Sequence, residues 1–211
     1  MKRAPRKCAN GGFTLIELLM VAAVIGILIS LLLPVLAKAK LRAVQSKCGS
    51  NLRQAGLAFR MFADEHDSRL PMQISLRKGG SLEYVNQGQP WRHFQPISNL
   101  LGRADLLVCP GDRMRFATNW NSLNSSNLSY FIGVDAEMRS PNTLLSGDRN
   151  LFVPGFTPPG TIPVRADSPA YWTEEMHQYR GNILFVDGRV EAVDSEGLQR
   201  TFGQQTIKPN H

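Results

Sequence analysis

Gly11-Gly12-Phe13-Thr14-Leu15-Ile16-Glu17 opens the stretch that decides the fold, and an apolar run to Ala37 completes it. From Leu18 to Ala37 no side chain is charged. As a helix rising about 1.5 Å per residue, this run is about 30 Å long, the thickness of a bilayer's hydrocarbon core. Glu17 stands at its start. A carboxylate costs roughly 2.5–3.5 kcal/mol at mid-membrane and less near an edge, so something should neutralise it. Lys2, Arg3, Arg6 and Lys7 precede the run with no acidic residue beside them. Positive charge before an apolar helix keeps that end in the cytoplasm and sends the rest of the chain across the membrane. A secretory signal cut at Ala37-Lys38-Ala39 is a competing pattern, but signal cores run about 7–15 residues and this one is longer. A plain uncleaved anchor is the stronger competitor.

The remaining 174 residues after Ala37 belong to a chain of 211, of which 43% are hydrophobic, enough for one membrane helix and one ordinary domain. The net charge of +7 suggests a nucleic-acid partner until its distribution is read. Four of the 24 basic residues lie before residue 8, and without residues 1–12 there are 20 against 17 acidic, a net of +3. That is an ordinary surface, and no nucleic-acid partner is expected. Of the three cysteines, Cys8 lies in the basic leader, and Cys48 and Cys109 lie beyond the apolar run. An even pair in an exported domain can form a disulfide, with two free half-buried thiols as the alternative.

Leu41, Val44, Cys48, Leu52, Ala55, Phe59, Phe62 and His66 are spaced three or four apart. They form one apolar stripe, so the helix continues amphipathically with Cys48 facing the head. Lys38, Lys40, Arg42, Lys47, Arg53 and Arg60 lie mainly off the stripe, near enough to lipid headgroups to touch them but readable as a solvated face. Gly49-Ser50 is a weak point, and Pro71 closes the segment, so the helix should end near Glu65–Ser68. Pro34 lacks the amide hydrogen for Ser30, which predicts a kink or local melting, with Gly26 as a second soft point.

Further on, Ile97 to Leu101 reads as a short helix and Leu106 to Cys109 as a short buried strand running into a turn. Asn119 to Asn127 reads as an exposed loop. Leu128 to Val134 and Thr143 to Gly147 are strand candidates. Pro154 to Pro169 holds five prolines and reads as an ordered surface loop. Asn182 to Val186 and Arg189 to Val193 flank Asp187-Gly188, which predicts a hairpin with a type I′ turn. Residues after Ser195 read as a polar tail with at most one short helical turn.

Gly12-Phe13-Thr14-Leu15-Ile16-Glu17 closely resembles the processing site of type IV prepilins and type II secretion pseudopilins. The resemblance implies cleavage between Gly12 and Phe13 by a prepilin peptidase, with methylation of the new amine on Phe13. It makes Glu17 the residue that pairs with a neighbouring subunit's amine in a filament, and Pro34 the kinking proline of such helices. Physically, glycine leaves the cut site accessible, and cleavage creates an amine one turn from Glu17. His177, nine residues and then Asp187-Gly188 resemble the H-X9-DG signature of many prepilin-like proteins. Cys48-Gly49-Ser50-Asn51-Leu52-Arg53-Gln54, Cys109-Pro110-Gly111-Asp112 and Gly147-Asp148-Arg149-Asn150 look like recurrent segments of that group.

The fold class implied is α+β and pilin-like: a long N-terminal helix packed on a small, mostly antiparallel head. The organisation expected is a cleaved leader at 1–12, a transmembrane helix at 13–37, an amphipathic continuation at 38–67, and a head at 68–211 with its hairpin near 182–193. The location implied is the bacterial inner membrane, single-pass, N-terminus cytoplasmic and head periplasmic. The function implied is that of a structural subunit of a type II secretion pseudopilus, with a surface pilin for adhesion or DNA uptake as the alternative and a membrane-anchored enzyme as a remote one. The partners implied are the peptidase, sister subunits, an inner-membrane assembly platform and lipid.

No enzyme motif stands out. Ser146 with Asp148, Asp187 and His177 has no nucleophile elbow around it, and no phosphate loop is present. His177 is expected to bond a nearby loop and Asp187 to shape the hairpin. No cofactor or metal is expected. Asp112, Asp135 and Asp148 are the carboxylates available to a structural calcium ion, as in some pseudopilin heads, without an EF-hand pattern. For DNA uptake the patch would be Arg113, Arg115, Arg139 and Arg149, with Trp120 or Tyr130 for stacking.

Overall fold

The computed structural model describes residues 14–155 and 169–204. The leader, the Gly12-Phe13 cut site and most of the Pro154–Pro169 loop lie outside the described residues. The chain divides into two compact units, residues 1–41 and 42–211.

Helix α1 spans Leu15–Asp64. Its first part is apolar throughout, and every large hydrophobic side chain from Leu15 to Leu36 is exposed. Water does not tolerate such a surface, so this segment is built for another solvent or for other helices. Among the described residues, it is the one helix long and apolar enough to cross a membrane. The helix runs through Pro34 without ending or melting there, which leaves a kink as the form the expected irregularity can take. In the same unit, the Ser30 hydroxyl donates to the Ile27 carbonyl at 2.8 Å.

In the second unit, the rest of α1 buries the predicted stripe, with Cys48, Leu52, Ala55, Phe59 and Phe62 nearly inaccessible. The helix ends at Asp64, and the His66 ring stacks on Phe62 with centroids 4.0 Å apart. A chain of single 3₁₀ turns follows between Pro71 and Leu107, broken by the one-turn helix α2 at Ser98–Leu101.

A four-stranded antiparallel sheet is the frame of the head. Its strands are β1 Tyr130–Ile132, β2 Leu144–Asp148, β5 Arg180–Phe185 and β6 Val190–Asp194, in the order β1-β2-β5-β6. A small side sheet pairs β3 Leu151–Phe152 with β4 Tyr171–Trp172. The Ile183–Phe185 end of strand β5 is apolar on both faces because both are covered. Leu184 joins the core under α1, while Ile183 and Phe185 join a second core with Trp172, Leu198 and Phe202. The helix approaches closely because Gly56 faces Leu184, where an added Cβ would sit 2.8 Å from Cδ1.

Three expectations are corrected. Leu106 to Cys109 is not a strand: Ala104–Leu107 form a 3₁₀ turn whose ends, three apart, are both buried. A short apolar run has no period long enough to separate the two states. The tail is not a polar coil. Ser195–Gly203 form a nine-residue helix, α3, capped by Asp194 Oδ1, which accepts from the Gly197 amide at 2.9 Å. Leu198 and Phe202, one turn apart, close the second core. The hairpin loop is not type I′. Only Gly188 in it takes a positive φ, of 87°. Phe185 and Arg189 flank a three-residue loop, with the Phe185 amide donating to the Arg189 carbonyl at 2.9 Å. Glycine is needed at that left-handed position, and Asp187 accepts from the Arg189 amide at 2.9 Å.

Candidate functional sites

The start of α1 is a hydrogen-bonded box. The Thr14 amide and hydroxyl donate to Glu17 Oε2 at 2.8 and 2.7 Å. The Glu17 amide returns a longer bond of 3.4 Å to the Thr14 hydroxyl. Threonine at the cap and glutamate three residues on satisfy orphan amides reciprocally, and the acid also suits the positive end of the helix dipole. Thr-x-x-Glu is a legible signal that the sequence reading missed. Glu17 therefore has a local role in starting the helix, beside any role in meeting another chain.

The head holds a second, buried constellation. Cys48 and Cys109 form a disulfide with Cα atoms 5.0 Å apart, joining residues 61 apart in sequence. His177 Nε2 lies 3.3 Å from Cys109 Sγ and 3.4 Å from Asp148 Oδ2. Asp148 Oδ2 also accepts from the backbone and side-chain nitrogens of Asn182 at 2.7 and 2.9 Å. Burial pushes the Asp148 carboxyl up to about 7, against the two Asn182 bonds, and the neighbouring Asp112 adds to the rise. Burial pushes the His177 imidazole down to about 4. At neutral pH the imidazole is therefore uncharged and the contact is not an ion pair.

Asp112 is held differently. Burial alone would raise its carboxyl, but Arg149 and Ser129 outweigh it and hold it below the usual range. Arg149 grips it with Nε at 2.7 Å and Nη2 at 2.6 Å, and the Ser129 hydroxyl donates at 2.7 Å. Next to it, Asn150 donates to the carbonyls of Thr173, Glu175 and Arg180. The Cys109–Asp112 and Gly147–Asn150 segments are therefore two halves of one buried brace. The loop carrying His177 is tightly wound, with positive φ at Met176, Gln178 and Tyr179.

His177 and Asp187 are not brought together, since Asp187 serves the hairpin at the loop tip. Ser146 donates to the Phe131 carbonyl at 2.6 Å. Surface concavities of about 180 and 330 Å³ include none of His177, Asp148, Asp187 or Ser146. Of the calcium candidates, Asp112 gives both oxygens to Arg149 and Asp135 stands exposed on another turn. The stacking patch for DNA loses two members, because Tyr130 is buried in the core and Arg149 faces Asp112 and Glu175.

The description "Prokaryotic N-terminal methylation motif" matches residues 7–33. The chain carries a prepilin-type N-terminus. That motif supports a type IV pilin-like chain that is a substrate of prepilin peptidase, and proteins bearing it are typically structural. The motif and the exposed apolar helix together are compatible with anchoring in the inner membrane. No curated protein and no solved structure matches the chain significantly.

The buried titratable groups set an acid response. His93, paired with the Ser81 hydroxyl at 2.8 Å, is pushed down by burial to about 4, as His177 is. Both have folded values below the ordinary 6.5, so their contribution is complete above pH 6.5 and is lost as pH falls toward 4. Asp148 acts oppositely: its folded value lies above the ordinary 3.8, so its contribution is present at low pH and lost as pH rises through about 7. Between pH 4 and 6.5 the unfolded chain binds two extra protons and the folded chain one, a net of one. Stability should then rise by about 1.4 kcal/mol per pH unit in this window. Asp148→Asn should steepen the slope to that of two protons. Urea unfolding at several pH values measures both slopes, and a slope unchanged in Asp148→Asn contradicts the assignment.

Proposed function

We propose that the chain is a structural subunit of a type II secretion pseudopilus. Prepilin peptidase cuts between Gly12 and Phe13 and the Phe13 amine is methylated. The mature subunit waits in the inner membrane as a single-pass protein, its head in the periplasm. An assembly platform then moves it into a filament of like or sister subunits. The observation that supports this most is the motif over residues 7–33, which overlaps the part of α1 from Leu15 to Leu36 whose large apolar side chains are all exposed. Lipid covers that surface before assembly and neighbouring helices cover it afterwards. Glu17 sets the stagger by pairing with a neighbour's N-terminal amine, a charge pair that specifies register even where it adds little net stability. Pro34 gives the helix local adaptability on leaving the bilayer. The head acts by its surface, without catalysis.

Glu17 has two separable roles, and two variants divide them. Glu17→Gln keeps an acceptor for Thr14 but removes the charge. Thr14→Ala removes the cap, a loss of about 1 kcal/mol, and keeps the charge. Both should be processed normally in a host that assembles the wild type. Glu17→Gln should be missing from the sheared filament fraction, while Thr14→Ala should be recovered in it. Wild-type recovery of Glu17→Gln would remove the register role and leave only the cap.

A further inference from the structure

Cys48, Cys109 and His177 are all buried, and their ligand atoms lie within 4.8 Å of one another. They come from three separate elements: helix α1, the segment after the Ala104–Leu107 turn, and the wound loop before β5. Asp148 adds a fourth donor from β2. Its Oδ2 is 3.4 Å from the same imidazole nitrogen that faces Cys109. Its Oδ1 is buried without a hydrogen-bond partner, and so is Nδ1 of His177. Buried polar atoms left unpaired are costly, and a carboxylate oxygen facing a cation would not be.

We propose that, before the disulfide closes, the reduced head binds one zinc-like dication through Cys48, Cys109 and His177, with Asp148 as fourth ligand. Two thiolates, an imidazole and a carboxylate are a donor set suited to zinc in tetrahedral geometry and unsuited to calcium. At Zn–S bonds of about 2.3 Å, two sulfurs on one ion stand about 3.7 Å apart, so opening the S–S bond needs only a small separation of the two chains. The imidazole already stands at a comparable distance from Cys109. On binding, each thiol loses its proton to solvent and forms one metal–sulfur bond.

The metal-bound and disulfide forms exclude one another. Oxidation removes two electrons from the two thiolates, forms the S–S bond and expels the dication. A disulfide-bonded oxidant takes the electrons and two protons and becomes a dithiol. The head would then be held together at the same point in a reducing and in an oxidising compartment. This does not depend on how the N-terminus is processed.

The test uses the full chain in detergent, reduced with a phosphine, and titrated with cobalt(II) under anaerobic conditions. The reduced wild type should take up one equivalent, with the visible bands of tetrahedral cobalt and a thiolate charge-transfer band, both displaced by zinc. The oxidised chain should show neither. Cys48→Ser should lose the charge-transfer intensity of one thiolate. His177→Gln should weaken binding by about tenfold or more, and His177→Cys, which restores a ligand, should recover it. A reduced chain that has loosened should regain its near-ultraviolet circular dichroism on adding zinc. No uptake by the reduced chain, folded or not, overturns the proposal, as does equal uptake by the oxidised chain or by His177→Gln.

Discussion

Arg149→Met should destabilise the head by about 3 kcal/mol at neutral pH. The Asp112 side chain is 1% exposed, and both of its oxygens are gripped by that guanidinium. Methionine fills similar space but leaves a buried carboxylate without its cation. Removing one partner of a buried ion pair costs about 3–5 kcal/mol, and the exposure of Arg149 puts this case toward the lower figure. Domains of this size have about 5–15 kcal/mol in all, so the loss is a large share. The double variant Asp112→Asn/Arg149→Met should recover much of it, because the uncompensated charge is gone. Thermal and urea melts of the three proteins check this. A loss under about 1 kcal/mol in the single variant would make the pair an ordinary surface bridge.

Breaking the disulfide should cost as much. Cys48→Ala/Cys109→Ala opens a link between residues 61 apart. By the loop-entropy relation, closing a loop of that length stabilises the fold by about 4 kcal/mol. The bond also anchors α1 to the segment that carries Asp112, so the two losses should not add fully. In the double alanine variant, the urea midpoint should fall well below that of the oxidised wild type. It should match the reduced wild type in the presence of a chelator. An unchanged midpoint would mean that the helix and head are already held by packing alone.

The parts of the fold that could be read from sequence are those with a long period. Twenty uncharged residues from Leu18 to Ala37 and the Leu41–His66 stripe specify α1 without help from the rest of the chain. The strand from Asn182 to Val186 and its return were legible for a similar reason, because the Ile183-Leu184-Phe185 run of β5 is covered on both faces. Some short elements were not legible. Ala104–Leu107 has too few residues to show whether its apolar positions repeat at two or at three. Helix α3 was hidden in polar composition, although Asp194 before Ser195 and the Leu198–Phe202 spacing were its cap and its buried face. The hairpin loop was misread by one residue: Asp-Gly fits a two-residue turn and the end of a three-residue loop equally well, and pairing of Leu184 with Val190 decides between them.

The sites divide in the same way. Thr14-x-x-Glu17 was in plain view as a capping box, but the charge of Glu17 drew attention from the hydroxyl three residues before it. Arg149 was read as a surface cation because sequence gives no sign that Asp112 comes to meet it. The contact of His177 with Cys109 joins positions 68 apart, and no local pattern announces such a contact. The Cys109–Asp112 and Gly147–Asn150 segments, far apart in sequence, meet through the Arg149–Asp112 pair.

Cleavage between Gly12 and Phe13 underlies the proposed role, and with it the helix as a membrane anchor before assembly. The intact mass of the protein purified from the membranes of a host with an active prepilin peptidase tests it most directly. The expected mass is that of a chain that starts at Phe13 and carries one added methyl group. A mass that retains the leader from Met1, under conditions where a control prepilin is cut, would contradict it.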